Sequence, residues 1–246
     1  MSSDCLVLNT SSMQWERGVL GNVLGDIVLG VVSMNGGTFM VHSRTSSFLP
    51  SGEREWIAGP NPPERVKCAT RISTSSFLTF NGKSERQFDS SIAGPSSDEG
   101  WVADGGWPDL LVERHRPGCE TLDQVSIIAG GRNELGELLK SVEVIFLNSK
   151  SLGKVQDMLK PRDHFNLIVL GTTLLALGGA GETSIEIWGG VDEPRKMASM
   201  SLENSKTHFS ALVSTNSVCS NALLPPHSCP TVDGGTCVFP FTNGGC

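Results

Sequence analysis

Residues 125–131 read Val125-Ser126-Ile127-Ile128-Ala129-Gly130-Gly131, and residues 174–179 read Leu174-Leu175-Ala176-Leu177-Gly178-Gly179. Each is a short apolar run that stops at a double glycine. Runs of this length, rich in β-branched and large apolar side chains and closed by a turn signal, form buried strands and are too short for helices. Similar runs precede Gly36-Gly37 (Ile27 to Met34) and Asn81-Gly82 (Phe77 to Phe80). The four turns recur at nearly even intervals, and self-similarity at a fixed period marks an array of stacked modules.

Two further markers keep the same beat. Cys68, Cys119 and His164 precede their turns by similar distances, and His208 opens another unit. Trp56 and Trp107 stand at one common offset ahead of Cys68 and Cys119; Leu152 and Lys196 hold that offset ahead of His164 and His208. Strand-like segments follow the turns at Thr38 to His42, Ser141 to Leu147 and Thr183 to Trp188, and Pro or Arg punctuates the links at Pro63-Glu64-Arg65, Arg116-Pro117-Gly118 and Pro161-Arg162-Asp163-His164. Each unit reads as a four-stranded antiparallel sheet. Such a sheet has two apolar faces and needs neighbours to bury them. Radial stacking of these sheets is the β-propeller.

The expected fold is therefore all-β: a propeller over residues 1–219, with units at about 1–23 (partial), 24–67, 68–118, 119–163, 164–207 and 208–219 (partial). The two partial units share one sheet, giving about five blades in a small or incomplete ring. Gly36, Gly37, Gly82, Gly130, Gly131, Gly178 and Gly179 are assigned to turns, and Trp15, Trp56 and Trp107 to outer strands, with Trp56 and Trp107 packing between blades. His164 and His208 hold one repeat position and are expected to hydrogen-bond backbone where the inner strand begins. Cys68 and Cys119 hold the same position as small buried packing. A mixed Cys/His metal ring around the channel is the sharper alternative.

At these residues the sequence resembles the kelch repeat family, whose pattern is an apolar strand, a double glycine, an aromatic-containing strand, a Trp and a Met-x-x-Pro-Arg-x-x-His-like link. Residues 119–179 carry the best match, through Ile127 to Gly131, Val142-Glu143-Val144, Met158 to His164 and Leu174 to Gly179. The resemblance implies a rigid scaffold that binds proteins through its loops. Some kelch relatives are copper oxidases whose radical cofactor and axial ligand are both Tyr; this chain has no Tyr. Residues 220–246 change character. There Cys237-Val238-Phe239-Pro240-Phe241 resembles the opening of a fibronectin type II module, a collagen-binding family with four cysteines paired first to third and second to fourth. Only Cys237 and Cys246 match, so the tail reads as the mark of an extracellular parent protein rather than a working binder.

Composition narrows the function. The chain has 246 residues, 38% hydrophobic and 18% charged, with 28 Gly and 13 Pro, which suits neither charge-driven disorder nor a helical bundle. Nineteen basic against 26 acidic side chains leave a net charge of −7, without the basic footprint of a nucleic-acid binder. No stretch approaches the roughly 20 apolar residues that span a bilayer, and the N-terminus as written is not a signal peptide. There is no Gly-x-x-x-x-Gly-Lys-Ser/Thr, His-Glu-x-x-His, Gly-x-Ser-x-Gly or Cys-x-x-Cys, and no cofactor is expected. The candidate binding residues are Trp101, in the Gly/Ser/Asp-rich insert 89–106, and Arg65, Arg116 and Arg162, which recur ahead of the unit markers. Those arginines form either an acidic-ligand ring on one face or solvated, backbone-bonding links. Asn9-Thr10-Ser11 is a glycosylation acceptor triplet. The function expected is non-enzymatic protein–protein interaction outside the cell. An intracellular kelch adaptor and a hydrolase on a propeller scaffold are the alternatives.

Overall fold

The computed structural model describes residues 4–9, 14–19 and 28–198, apart from 54, 103–104, 180, 183 and 192–194. Almost everything regular in it is strand. Strands β1 (Asp4–Asn9) and β2 (Gln14–Val19) form a hairpin with Asn9 opposite Gln14. The first sheet holds β3 (Val28–Met34), β4 (Gly37–His42), β5 (Ser46–Pro50) and β6 (Ile57–Ala58). The second holds β7 (Cys68–Arg71), β8 (Ser76–Phe80) and β9 (Glu85–Asp89). The third holds β10 (Gly118–Leu122), β11 (Val125–Ala129), β12 (Val142–Phe146) and β13 (Ser151–Val155). The fourth holds β14 (Asn166–Leu170), β15 (Thr173–Leu177), β16 (Ile185–Trp188) and β17 (Arg195–Ala198).

Every sheet is an antiparallel meander, and the first strands β3, β7, β10 and β14 lie beside one another in chain order. The result is a propeller of four blades among the described residues, where about five were expected. The residues expected to open the split blade form the β1–β2 hairpin, a two-stranded sheet of its own. Its proposed complement at 208–219, His208 and the tail at 220–246 lie outside the described residues, as do the side chains of Trp15 and Asn9.

Apolar faces meet between blades, as lone sheets of this kind require. Between the first and second, Val32, Phe39, Val41, Phe48, Phe77 and Phe88 are buried together. Between the second and third, Leu78, Phe80, Leu110, Ile128 and Ile145 form a separate core. Between the third and fourth, Ile127, Val142, Val144, Met158, Leu174 and Trp188 do the same.

Two features depart from the sequence reading. The double glycines are not all in phase. Asn81-Gly82, Gly130-Gly131 and Gly178-Gly179 follow the second strand of their blades, with Asn81, Gly130 and Gly178 donating to Ser84, Ser141 and Ser184. Gly36-Gly37 instead lies between the first and second strands, and His42-Ser43 takes the equivalent place, His42 donating to Thr45. Both hairpins of a blade need tight turns, so both attract glycine. Among the described residues, moreover, the second blade shows three strands and no outer strand near Trp107. Its edge is met by an insert that carries a short helix α1 (Ser90–Ala93) and touches β9 through one bridge, Phe88 to Trp101.

Candidate functional site

The links between blades carry the most telling chemistry. Arg114 and Arg162 are fully buried and occupy one register position, the first leading into the third blade and the second into the fourth. Arg114 uses all five of its N–H donors. Nη1 reaches the carbonyls of Gly130 and Ser141, both at 2.9 Å; Nη2 reaches Ser141 Oγ at 2.9 Å and Glu143 Oε1 at 2.7 Å; Nε reaches Glu143 Oε1 at 3.2 Å. Arg162 repeats this on Gly178, Ser184 and the Ser184 hydroxyl. Its carboxylate is looser, with Nε 3.9 Å from Glu186 Oε2, while Glu186 Oε1 accepts from Trp188 Nε1 and the Leu159 backbone. The guanidinium thus latches each link to the turn after the second strand. Gly131 is needed there: its φ is +89°, and a Cβ would press on the His115 carbonyl at 2.7 Å.

The second blade has this latch with its charges exchanged. Glu64 stands at the register position of Arg114 and Arg162, and Arg86 at that of Glu143 and Glu186. Arg86 and Asn81 both donate to the Glu64 carboxylate. This pair is half-exposed, whereas Arg114 and Glu143 are buried.

Arg162 takes the backbone-bonding alternative, buried on the Gly178 and Ser184 carbonyls; burial alone pushes its guanidinium toward the neutral form, against the carboxylates Glu186 and Glu182. The residue in phase with it is Arg114, not Arg116. Arg65 and Arg116, by contrast, are exposed on adjacent links, and neither forms an ion pair among the described residues. His164 does not bond backbone through its ring. Its Nδ1 lies 3.2 Å from Asp163 Oδ2 and 3.5 Å from Arg116 Nη1, and burial together with the Arg116 charge lowers its pKa. Asp163 also accepts from Arg132 Nε at 2.7 Å.

Beside these groups the ends of the second and third blades enclose an open cleft of about 490 Å³, walled by Arg65, Lys67, Asn81, Lys83, Asp109 and His115 among others. Lys67 Nζ donates to His115 Nδ1 at 2.9 Å, and burial and the Arg65 charge hold its amine below the usual lysine range. The hairpin after Gly131 joins this end through backbone bridges from Arg132 to His115 and to Leu138. It leaves Leu135 84% exposed, and Leu111 on the preceding link is 72% exposed. Neither Lys67, His115 nor these leucines stood out in the sequence, since none belongs to a motif.

The remaining candidates are structural in their placement. Trp101 turns inward, edge-on to Phe77 (5.8 Å, 86°) and Phe88 (5.3 Å, 63°), so it is not the loop-borne contact residue expected. Trp107 packs partly buried on the core between the second and third blades, with its Nε1 donating to Gln87 and Lys150 Nζ 4.8 Å above its ring. Trp56 is half-buried just before β6. Cys68 and Cys119, expected as small buried packing residues, form a disulfide between the neighbouring inner strands β7 and β10. Next to it the Thr70 and Thr121 hydroxyls bond across the same seam at 2.9 Å. Among the described residues no group of three or more His, Cys, Asp and Glu is placed to hold a metal ion. No helix among them is long and apolar enough to cross a membrane.

No family model matches the chain, and no curated protein matches it.

Proposed function

We propose that this chain is a non-enzymatic protein-interaction module of kelch type, belonging to an extracellular protein, and that its binding face is the link end of the second to fourth blades. The observation that carries the reading is the pair Arg65 and Arg116, exposed on consecutive links without an acidic partner among the described residues. Exposed Leu111 and Leu135 flank them on a rigid scaffold. Exposed arginine beside exposed apolar side chains is the usual make-up of a protein-binding hot spot. The partner segment is acidic with apolar anchors. The Cys68–Cys119 disulfide supports an oxidising compartment, as do the features of the tail that resemble a fibronectin type II start.

A displayed peptide library tests the binding face. Acidic peptides with Leu or Phe anchors are enriched by the native chain. The Arg65→Glu/Arg116→Glu variant loses that enrichment while keeping its fold by circular dichroism. Equal enrichment by both overturns the assignment. For the compartment, a thiol count on secreted, denatured material is decisive: free thiols at Cys68 and Cys119 would sink the extracellular reading.

A further inference from the structure

The cleft between the second and third blades is lined by Arg65, Lys67 and Lys83 beside Glu64, Asp109 and Glu113, and Arg86 and Arg116 stand close by and tip the balance positive. Lys67, half-buried, spends a hydrogen bond on the His115 ring and not on a carboxylate. Arg65 lines the same cleft, and Arg116 stands close enough to act on Lys67 electrostatically. Three acids line the same cleft. Glu64 holds Arg86 and Asn81. Glu113 Oε1 is 3.8 Å from His115 Nε2, too long for a hydrogen bond, though its charge still supports Lys67. Asp109 stays on the cleft wall and repels Glu85 of the second blade. Lys83, Asn81 and Ser84 add further donors along the wall. The fold thus brings positive groups from two successive links together and leaves them to repel each other.

We infer that this cleft binds one tetrahedral oxyanion, a sulfate or phosphate monoester carried on a partner protein, with Lys67 and His115 as inner donors and Arg65 and Arg116 as outer arms. The donors arrive from two separate links, and a tetrahedral group presents oxygens to both, whereas the two oxygens of a carboxylate lie in one plane. Burial, and after it the like charges of Arg65 and Arg116, now lower the Lys67 pKa, and a bound oxyanion offsets the like-charge part. The site is independent of the apolar anchors Leu111 and Leu135.

The test titrates the whole chain with sodium sulfate and inorganic phosphate, against sodium chloride at matched ionic strength, reading the Lys67 and His115 signals by NMR. Saturable shifts in the millimolar range are expected, with affinity falling about tenfold in Lys67→Met and in Arg65→Gln. Shifts reproduced by chloride, or affinity unchanged in two folded variants, overturn the site. Sulfotyrosine and phosphotyrosine peptides then separate the sources. Tighter binding of one names the ester, and equal binding supports the shared oxyanion chemistry. Binding of inorganic anions with neither peptide overturns the partner-borne ligand. A failed anion titration beside a preserved loss of acidic peptides in Arg65→Glu/Arg116→Glu would remove this site and leave the proposed interaction face standing.

Discussion

Glu85 shows what one residue does when it breaks a pattern. Its register mates in the third and fourth blades are Val142 and Ile185, both buried. Glu85 is 4% exposed, and neither of its carboxylate oxygens has a hydrogen-bond partner among the described residues. Burial, with Asp109 and Glu143 nearby, raises its pKa to about 8. A raised carboxylate stabilises the fold fully below the unfolded value and loses that contribution as pH climbs to the folded one. Glu85→Val should therefore raise stability at pH 8 by roughly 2–4 kcal/mol and flatten its fall between pH 5 and 8, measured by urea unfolding. An unchanged pH slope would refute it. Arg114 belongs at the same scale. Arg114→Met strands buried Glu143 and two turn carbonyls, and the expected loss is about 3–5 kcal/mol. Glu64→Gln, on a half-exposed pair, should cost under about 1 kcal/mol. Equal losses would contradict the burial difference. Arg114 was within reach of sequence reading, since it stands one repeat length before Arg162. Arg116 is the more conspicuous marker in the sequence because it adjoins the Pro117-Gly118 punctuation.

At the scale of the element, strand existence was legible and strand identity was not. The apolar runs at Phe77 to Phe80, Val125 to Ala129 and Leu174 to Leu177 all became second strands. The run ending at Met34 looked the same yet became a first strand, because a double glycine closes either hairpin of a blade. Cys68 and Cys119 sit one register step apart, since Cys68 takes the place of Gly118 in the next blade, and pairing them requires knowing that first strands of successive blades are neighbours, with these Cα atoms 6.0 Å apart. The disulfide joins positions 51 apart in sequence, so removing it as Cys68→Ala/Cys119→Ala should cost on the order of 2–4 kcal/mol. The drop would appear as a lower denaturant midpoint, and reduction of the native chain should reproduce it. If reduction leaves the midpoint in place, the staple contributes nothing to the folded ring.

Over the whole molecule, the acid groups set a direction. Glu120 on β10 is raised to about 7, chiefly by burial, and adds to the trend of Glu85. Glu182 is lowered to about 2 by bonds from Lys160 and Ser184, which outweigh its partial burial. Its contribution is lost only as pH falls from the ordinary glutamate range toward 2. The lowered His164 works the other way, adding stability as pH rises toward 6.5, but it is partly exposed and its share is small. Maximum stability is thus expected near pH 5, with chemical unfolding at pH 4, 5, 6 and 8 as the check. A maximum at pH 8 would mean that Glu85 and Glu120 are solvated.

The exchanged latch has a bearing on assembly. Sheets this alike invite a link to seat on the wrong neighbour while the ring is forming. Were the segment bearing Glu64 to dock one module along, it would meet Glu143, acid against acid, with a hydrophobic wall around both. Polarity thus works as a key cut differently for one lock, so a seat one blade along would set like charges face to face.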